Sequence, residues 1–153
     1  MPASDALSGR PVAHRHRVRV YWEDTDAGGV VYYANYLKFF ERARTEWLRA
    51  CGIGQQALKD EGATMFVVAD AQVSYRQPAR LDDVLEIELA LVEAGRASLV
   101  LAQQARREGT LLAAARIRIG CVDAASLRPC RIPEGVLARL RRRPDDDPMT
   151  TTR

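Results

Sequence analysis

The chain has 153 residues, 47% of them apolar, with 23 basic and 20 acidic side chains for a formal net charge of +3. That content fills one core and falls short of two ordinary domains, and so mild a positive excess, with no basic stripe interleaved with aromatics, gives no support for nucleic acid as a partner. No apolar run is long enough to span a bilayer and residues 1–20 lack the apolar core of a signal peptide, so the expected location is the cytoplasm.

Residues 1–13 carry Ala, Ser, Gly and Pro without periodicity and are expected to form a mobile arm. One domain then covers 14–142. Arg15, Arg17 and Arg19 alternate with Val18 and Val20, the pattern of a half-buried strand. The main helix opens at Tyr33 or Asn35. Tyr36, Phe39, Phe40, Ala43, Trp47, Leu48 and Cys51 recur at three- and four-residue steps, which gives one broad apolar stripe. Gly52 is a natural stop, and Gln55–Glu61 reads as a short second helix.

Four strands are expected next, in hairpin succession. Val67 to Tyr75 alternates apolar residues with Asp70, Gln72 and Ser74, and Leu85 to Leu91 alternates with Glu86 and Glu88. Ser98–Arg106 follows a turn at Gly95-Arg96, and Ala115 to Cys121 follows one at Glu108-Gly109. Pro133–Arg142 reads as a short helix, and 143–153 as a disordered tail. The class is α+β: an antiparallel sheet with one apolar face covered by one long amphipathic helix. The helix has more apolar width than one sheet face needs, which points to a partner subunit. Cys51, Cys121 and Cys130, at no metal-binding spacing, read as reduced and structural.

Chemistry concentrates in Tyr21-Trp22-Glu23-Asp24-Thr25-Asp26-Ala27-Gly28-Gly29-Val30-Val31-Tyr32-Tyr33-Ala34-Asn35-Tyr36, which joins the first strand to the long helix through a loop with three acids and two glycines. Such a loop can aim a carboxylate at a helix N-terminus, whose free N–H groups and positive dipole end suit a developing oxyanion. Asp26 is the expected nucleophile or general base. Asp24 reads as a turn or hydrogen-bonding residue. Gly28 and Gly29 are expected at positive φ, allowing close approach of a substrate to the backbone. Asn35 either caps the helix or binds substrate. Arg76, Arg80 and Arg96 are candidate phosphate contacts, and the helical Glu41 and Glu46 are the runner-up carboxylates. Phe39, Phe40, Trp47, Met65 and Phe66 read as mostly core, and His14 and His16 as a strand-edge pair.

The run Glu23-Asp24-Thr25-Asp26-Ala27-Gly28-Gly29-Val30-Val31-Tyr32, with Ala34-Asn35-Tyr36-Leu37-Lys38-Phe39-Phe40-Glu41-Arg42-Ala43-Arg44 and the later Val73-Ser74-Tyr75-Arg76-Gln77-Pro78-Ala79-Arg80-Leu81-Asp82-Asp83, resembles the hotdog-fold acyl-CoA thioesterases. The match is to the 4-hydroxybenzoyl-CoA thioesterase group, most closely its Tol–Pal-associated bacterial branch. The resemblance implies a five-stranded antiparallel sheet wrapped around one long central helix. It implies homodimers with a continuous sheet, often paired into tetramers, and sites at the subunit interface. It implies hydrolysis of an acyl-CoA, with an acyl carrier protein as the alternative donor, without a metal or organic cofactor. It assigns catalysis to Asp26 and the carbonyl-polarising N–H to Tyr33 or beside it. Gly28, Gly29, Val30, Asn35, Arg76 and Arg80 are the expected substrate-binding positions.

The sequence departs from that branch at Tyr33, where histidine is usual and the 4-hydroxybenzoyl branch has tyrosine. A phenol is a poor general base at neutral pH. Two rival readings follow: an enoyl-thioester hydratase, disfavoured by the missing imidazole, and a non-catalytic acyl-thioester-binding or envelope-associated interaction protein.

Overall fold

A computed structural model describes Leu7 and residues 9–142. The tail at 143–153 and residues 1–6 and 8 of the arm lie outside the described residues. Among the described residues, five strands form one antiparallel sheet with three α-helices: β1 (His14–Arg19), α1 (Asn35–Ala50), α2 (Gln55–Gly62), β2 (Thr64–Tyr75), β3 (Val84–Ala94), β4 (Ser98–Arg107), β5 (Thr110–Asp123) and α3 (Glu134–Arg141). No helix among the described residues is long and apolar enough to cross a membrane.

The apolar stripe of α1 does what its periodicity predicts. Tyr36, Phe39, Phe40, Ala43, Trp47 and Leu48 are all buried in one cluster with Leu85, Ile87 and Leu89 of β3, Leu99 and Leu101 of β4 and Ile117 and Ile119 of β5. Phe39 and Phe40 retain no exposure, and each side chain of that size contributes roughly 1.5–3 kcal/mol through burial. Met65 and Phe66, expected in the core, are only half-buried at the start of β2. On the other sheet face Leu7 is buried against Ala90 of β3 and Ala102 of β4.

The strand order is β1-β3-β4-β5-β2. The expected hairpin succession holds for β3, β4 and β5 but not for β2, which pairs with β5 instead of β3. The physical reason lies in the connection. Arg76 N–H donates to Leu112 O at 2.7 Å, which carries the chain along β5 past the end of β2, and only after Pro78 does a β-turn, with Asp83 N–H donating to Arg80 O at 3.1 Å, lead into β3. The β3 edge that a hairpin would have used is occupied by β1, His14 facing Leu89 and Arg19 facing Val84. β2 is thereby left as an edge strand of 12 residues, with Val68, Ala69, Asp70, Ala71 and Gln72 exposed in succession.

One polar strut crosses the core. Gln103 of β4, fully buried, donates to Phe40 O and accepts from Arg44 Nη1, both at 2.9 Å. Burial holds the Arg44 guanidinium below its ordinary pKa, with Glu41 opposing.

Candidate active site

The acidic loop folds into a tight hairpin that leads straight into α1. Thr25 and Val31 form an antiparallel bridge, Asp26 N–H donates to Val30 O at 2.9 Å, and Gly29 N–H returns to Asp26 O at 3.0 Å. The loop residues are therefore Ala27, Gly28 and Gly29, and Gly29 takes φ +78. A three-residue hairpin loop closing on a left-handed residue selects glycine there. Gly28 differs from expectation, because its φ is not positive. Its N–H donates to Asp26 Oδ1 at 2.8 Å, and an added Cβ would lie 3.1 Å from that oxygen. Gly28 thus makes room for the carboxylate instead of supplying backbone freedom.

Asp24 anchors the base of the hairpin. It is 7% exposed; its Oδ2 accepts from Tyr21 N–H at 2.8 Å, and its carbonyl accepts from Tyr32 N–H at 2.9 Å and from Asn35 Nδ2 at 2.8 Å. Asn35 is consequently not the helix cap. It is the first residue of α1, behind Ala34, and its amide ties the helix start back to the hairpin. No side chain caps α1 and its first turn has no acid. Among the described residues the N–H groups of Tyr33 and Ala34 donate to nothing. The N–H groups of Asn35, Tyr36 and Leu37 are taken by the carbonyls of Tyr32, Tyr33 and Ala34, so the two free donors sit just ahead of a helix start that no acid neutralises.

Asp26 and Tyr33 are both exposed on the single chain. Beside Tyr33 lies a cleft of about 260 Å³ lined by Val31, Tyr33, Tyr36, Tyr75, Arg76, Gln77 and Pro78. Its lining does not include Asp26. Aromatic rings build it: Tyr33 meets Tyr75 edge-on at 6.1 Å and Tyr36 meets Tyr75 at 5.4 Å. The Tyr75 hydroxyl donates to Tyr33 O at 2.9 Å, and the buried Tyr36 hydroxyl accepts from Ala79 N–H at 3.1 Å. Burial raises the Tyr75 phenol, with Tyr33 and Tyr36 adding to it, and burial likewise raises Tyr36. Both hydroxyls are neutral donors or acceptors at physiological pH.

The other sequence-chosen residues divide. Val30 bridges Arg80 and Val31 N–H donates to Ala79 O at 2.8 Å, so the 76–83 segment is docked on the hairpin. Arg76 and Arg80 are exposed there. Arg96 lies in the β3–β4 turn, at the other end of β3. Glu46 pairs with Arg49 on the outer surface of α1, and Glu41 is exposed. Burial lowers the His14 pKa, with His16 adding to it and Glu46 opposing. Sequence reasoning passed over Tyr36 as plain core and did not single out Tyr75, the last residue of β2. The signal available was a tyrosine directly preceding Arg76-Gln77-Pro78, at a strand end aimed toward the hairpin.

The chain matches the model of the thioesterase-like superfamily over residues 20–140. It is 45% identical over 121 residues to the acyl-CoA thioesterase YbgC of Haemophilus influenzae, covering 79% of this chain and 89% of that protein. It is 47% identical over 128 residues to the acyl-CoA thioester hydrolase YbgC of Escherichia coli O157:H7, covering 83% and 95%. Among solved structures, a probable thioesterase from Bartonella henselae superposes with a TM-score of 0.76 at 34% identity, over 78% of this chain and 98% of that one. The expected hotdog architecture is thus observed, and the chain belongs to the thioesterase-like superfamily.

Proposed function

We propose that this protein hydrolyses acyl-CoA thioesters to the free acid and CoA, with Asp26 as nucleophile or general base and the Tyr33 N–H as oxyanion donor. One observation carries the reading. A single hairpin holds a solvent-reachable carboxylate and leads into α1 through Tyr33 and Ala34, whose N–H groups are unbonded among the described residues. Family membership and relatives named as acyl-CoA thioesterases support the same chemistry.

In the nucleophilic route Asp26 attacks the thioester carbonyl, the C–S bond breaks and CoA leaves as thiolate, taking its proton from water. Water then opens the acyl-aspartyl anhydride and restores Asp26. In the general-base route Asp26 removes a proton from water, which attacks the carbonyl directly, and the proton passes on to the departing thiolate. Both routes place negative charge on the former carbonyl oxygen. A preorganised N–H at that point contributes ~3 kcal/mol of transition-state stabilisation.

Gly28, Gly29, Val30 and Asn35 shape the approach of the thioester, the tyrosine-lined cleft receives part of the substrate, and Arg76 and Arg80 reach its phosphates. The reading includes a homodimer joined along β2, further paired into a dimer of dimers, with the partner covering Asp26. The unpaired edge of β2 supports it, since an open strand edge is a template for strand addition. An acyl carrier protein remains the alternative acyl donor, and the cytoplasm the setting. The test is thiol release measured across short aliphatic, long aliphatic and aromatic acyl-CoAs. Turnover of at least one class is expected, and none with any class removes the proposal.

A further inference from the structure

The chain continues to pair after β5. It turns through residues 124–127, with Leu127 at φ +60, and runs back beside the strand it has just left. Asp123 organises the turn: its Oδ1 accepts from the N–H groups of Ala125 and Ser126 and from the Ser126 hydroxyl at 2.8–3.0 Å. Val122 and Pro129 form an antiparallel bridge, Asp123 N–H donates to Arg128 O and Cys130 N–H donates to Cys121 O, both at 2.9 Å. This register sets Cys121 opposite Cys130, with their sulfurs 3.6 Å apart.

Opposed residues of an antiparallel pair have Cα atoms about 4.5–5.5 Å apart, within the roughly 4.4–6.8 Å that a disulfide spans. The backbone spacing already suits a covalent bond, and the sulfurs close the remaining gap by rotation about χ1. The two thiols differ in access. Cys121 is 1% exposed, and burial first, then the hydrogen bond and charge of Cys130, push its thiol up to about 12. Cys130 is only half-buried, at the margin of the main core.

We propose that Cys121 and Cys130 form a dithiol modification site, oxidised by a hydroperoxide to an intramolecular disulfide. Cys130, the accessible thiol, reacts first: its sulfur attacks a peroxide oxygen, the O–O bond breaks, the sulfur is oxidised to a sulfenic acid and the other oxygen leaves as water or an alcohol with the thiol proton. Cys121 sulfur then attacks Cys130 sulfur and the S–O bond breaks. The hydroxide leaves as water with the Cys121 proton. With hydrogen peroxide the sum is two thiols and one peroxide giving one disulfide and two waters. The bond ties β5 to the segment that carries Ile132 and the buried Leu140 of α3 into the main core.

The test is mass spectrometry of the reduced full chain after exposure to a small excess of hydrogen peroxide. Trypsin leaves both cysteines in the peptide Ile119–Arg131, because the bond between Arg128 and Pro129 resists it. That peptide is expected to lose two hydrogens and to regain them on reduction. Cys51→Ser keeps this behaviour, Cys130→Ser abolishes it, and Cys121→Ala accumulates a dimedone-trapped sulfenic acid at Cys130. An unchanged peptide mass, a link through Cys51, or overoxidation of Cys130 without the loss of two hydrogens overturns the proposal. The wild-type peptide map decides the matter even where a cysteine variant fails to fold.

Discussion

The hydroxyl of Tyr75, at the end of β2, donates to the backbone carbonyl of Tyr33, two residues before α1. This bond joins the edge strand to the helix start, so the orientation of the Tyr33–Ala34 peptide, and through it that of the neighbouring Tyr33 N–H, depends on a residue distant in sequence. The hairpin, the 76–83 segment and the cleft all meet at this point. Tyr75→Phe removes the donor and keeps the ring. The Tyr33 carbonyl lies near solvent, so stability should fall by no more than about 1 kcal/mol. If the Tyr33 N–H supports the oxyanion, kcat should drop severalfold with little change in KM. A pure rise in KM in steady-state kinetics would show that Tyr75 serves binding alone.

Asp26→Asn is the direct test of the carboxylate. Asparagine still offers an oxygen to Gly28 N–H, now 2.8 Å from Asp26 Oδ1, so the turn should survive. Activity should fall ~10²–10⁴-fold while the thermal midpoint holds. Near-wild-type thiol release would reduce Asp26 to a turn former.

The two loop glycines should separate stability from catalysis. Gly29→Ala places a Cβ at φ +78, with no atom within 4 Å to clash. Its penalty is conformational, about 1–2 kcal/mol. Gly28→Ala carries no such backbone strain but brings a Cβ to 3.1 Å from Asp26 Oδ1. It should cost more in kcat than in stability. Urea titrations beside initial-rate assays on both variants check this, and identical profiles would refute the distinction.

Asp83 provides a pH dependence of known sign. Burial pushes its carboxyl up, but the Arg80 N–H and the Arg107 guanidinium outweigh that and hold it below the usual carboxylate range. The contacts are 2.8 Å and 2.7 Å. With the folded pKa depressed, the unfolded chain binds more protons between the two values. The contribution is therefore complete above the unfolded pKa of about 4 and lost as pH falls through the folded one. The pair is partly exposed and screened, so Arg107→Met should lower stability at pH 7 by only about 0.5 kcal/mol. The gap between variant and wild type should close in acid. A gap of equal size at pH 7 and pH 3 in denaturant titration would contradict this.

The free edge of β2 predicts association. Val68, 53% exposed, stands in it, and Leu37 of α1 is 41% exposed. Sedimentation at micromolar concentration should give a dimer or a multiple of it. A monomer would remove the partner from the site and leave Asp26 open to solvent.

Much of the architecture was legible in the chain because it depends on neighbours in sequence. The three- and four-residue spacing from Tyr36 to Leu48 specified a buried helix face, and the alternation in Leu85 to Leu91 specified an inward sheet face. The Asp-Ala-Gly-Gly loop announced a carboxylate aimed at a helix start, but not that the loop closes as a hairpin. Periodicity says which face is apolar, however, and not which strand will lie beside it. The pairing of β2 with β5 was decided by the edge of β3 that β1 occupies and by the Arg76–Leu112 bond that keeps the chain on β5 past the end of β2. Asn35 turned out to brace the hairpin because the Asp24 carbonyl comes within its reach only after folding. The contacts of Tyr75 with Tyr33, Arg44 with Gln103 and Cys121 with Cys130 are likewise products of register. Short-range chemistry is written in the order of residues, whereas a hydrogen bond or a thiol pair across strands exists only once long-range packing has set two backbones side by side.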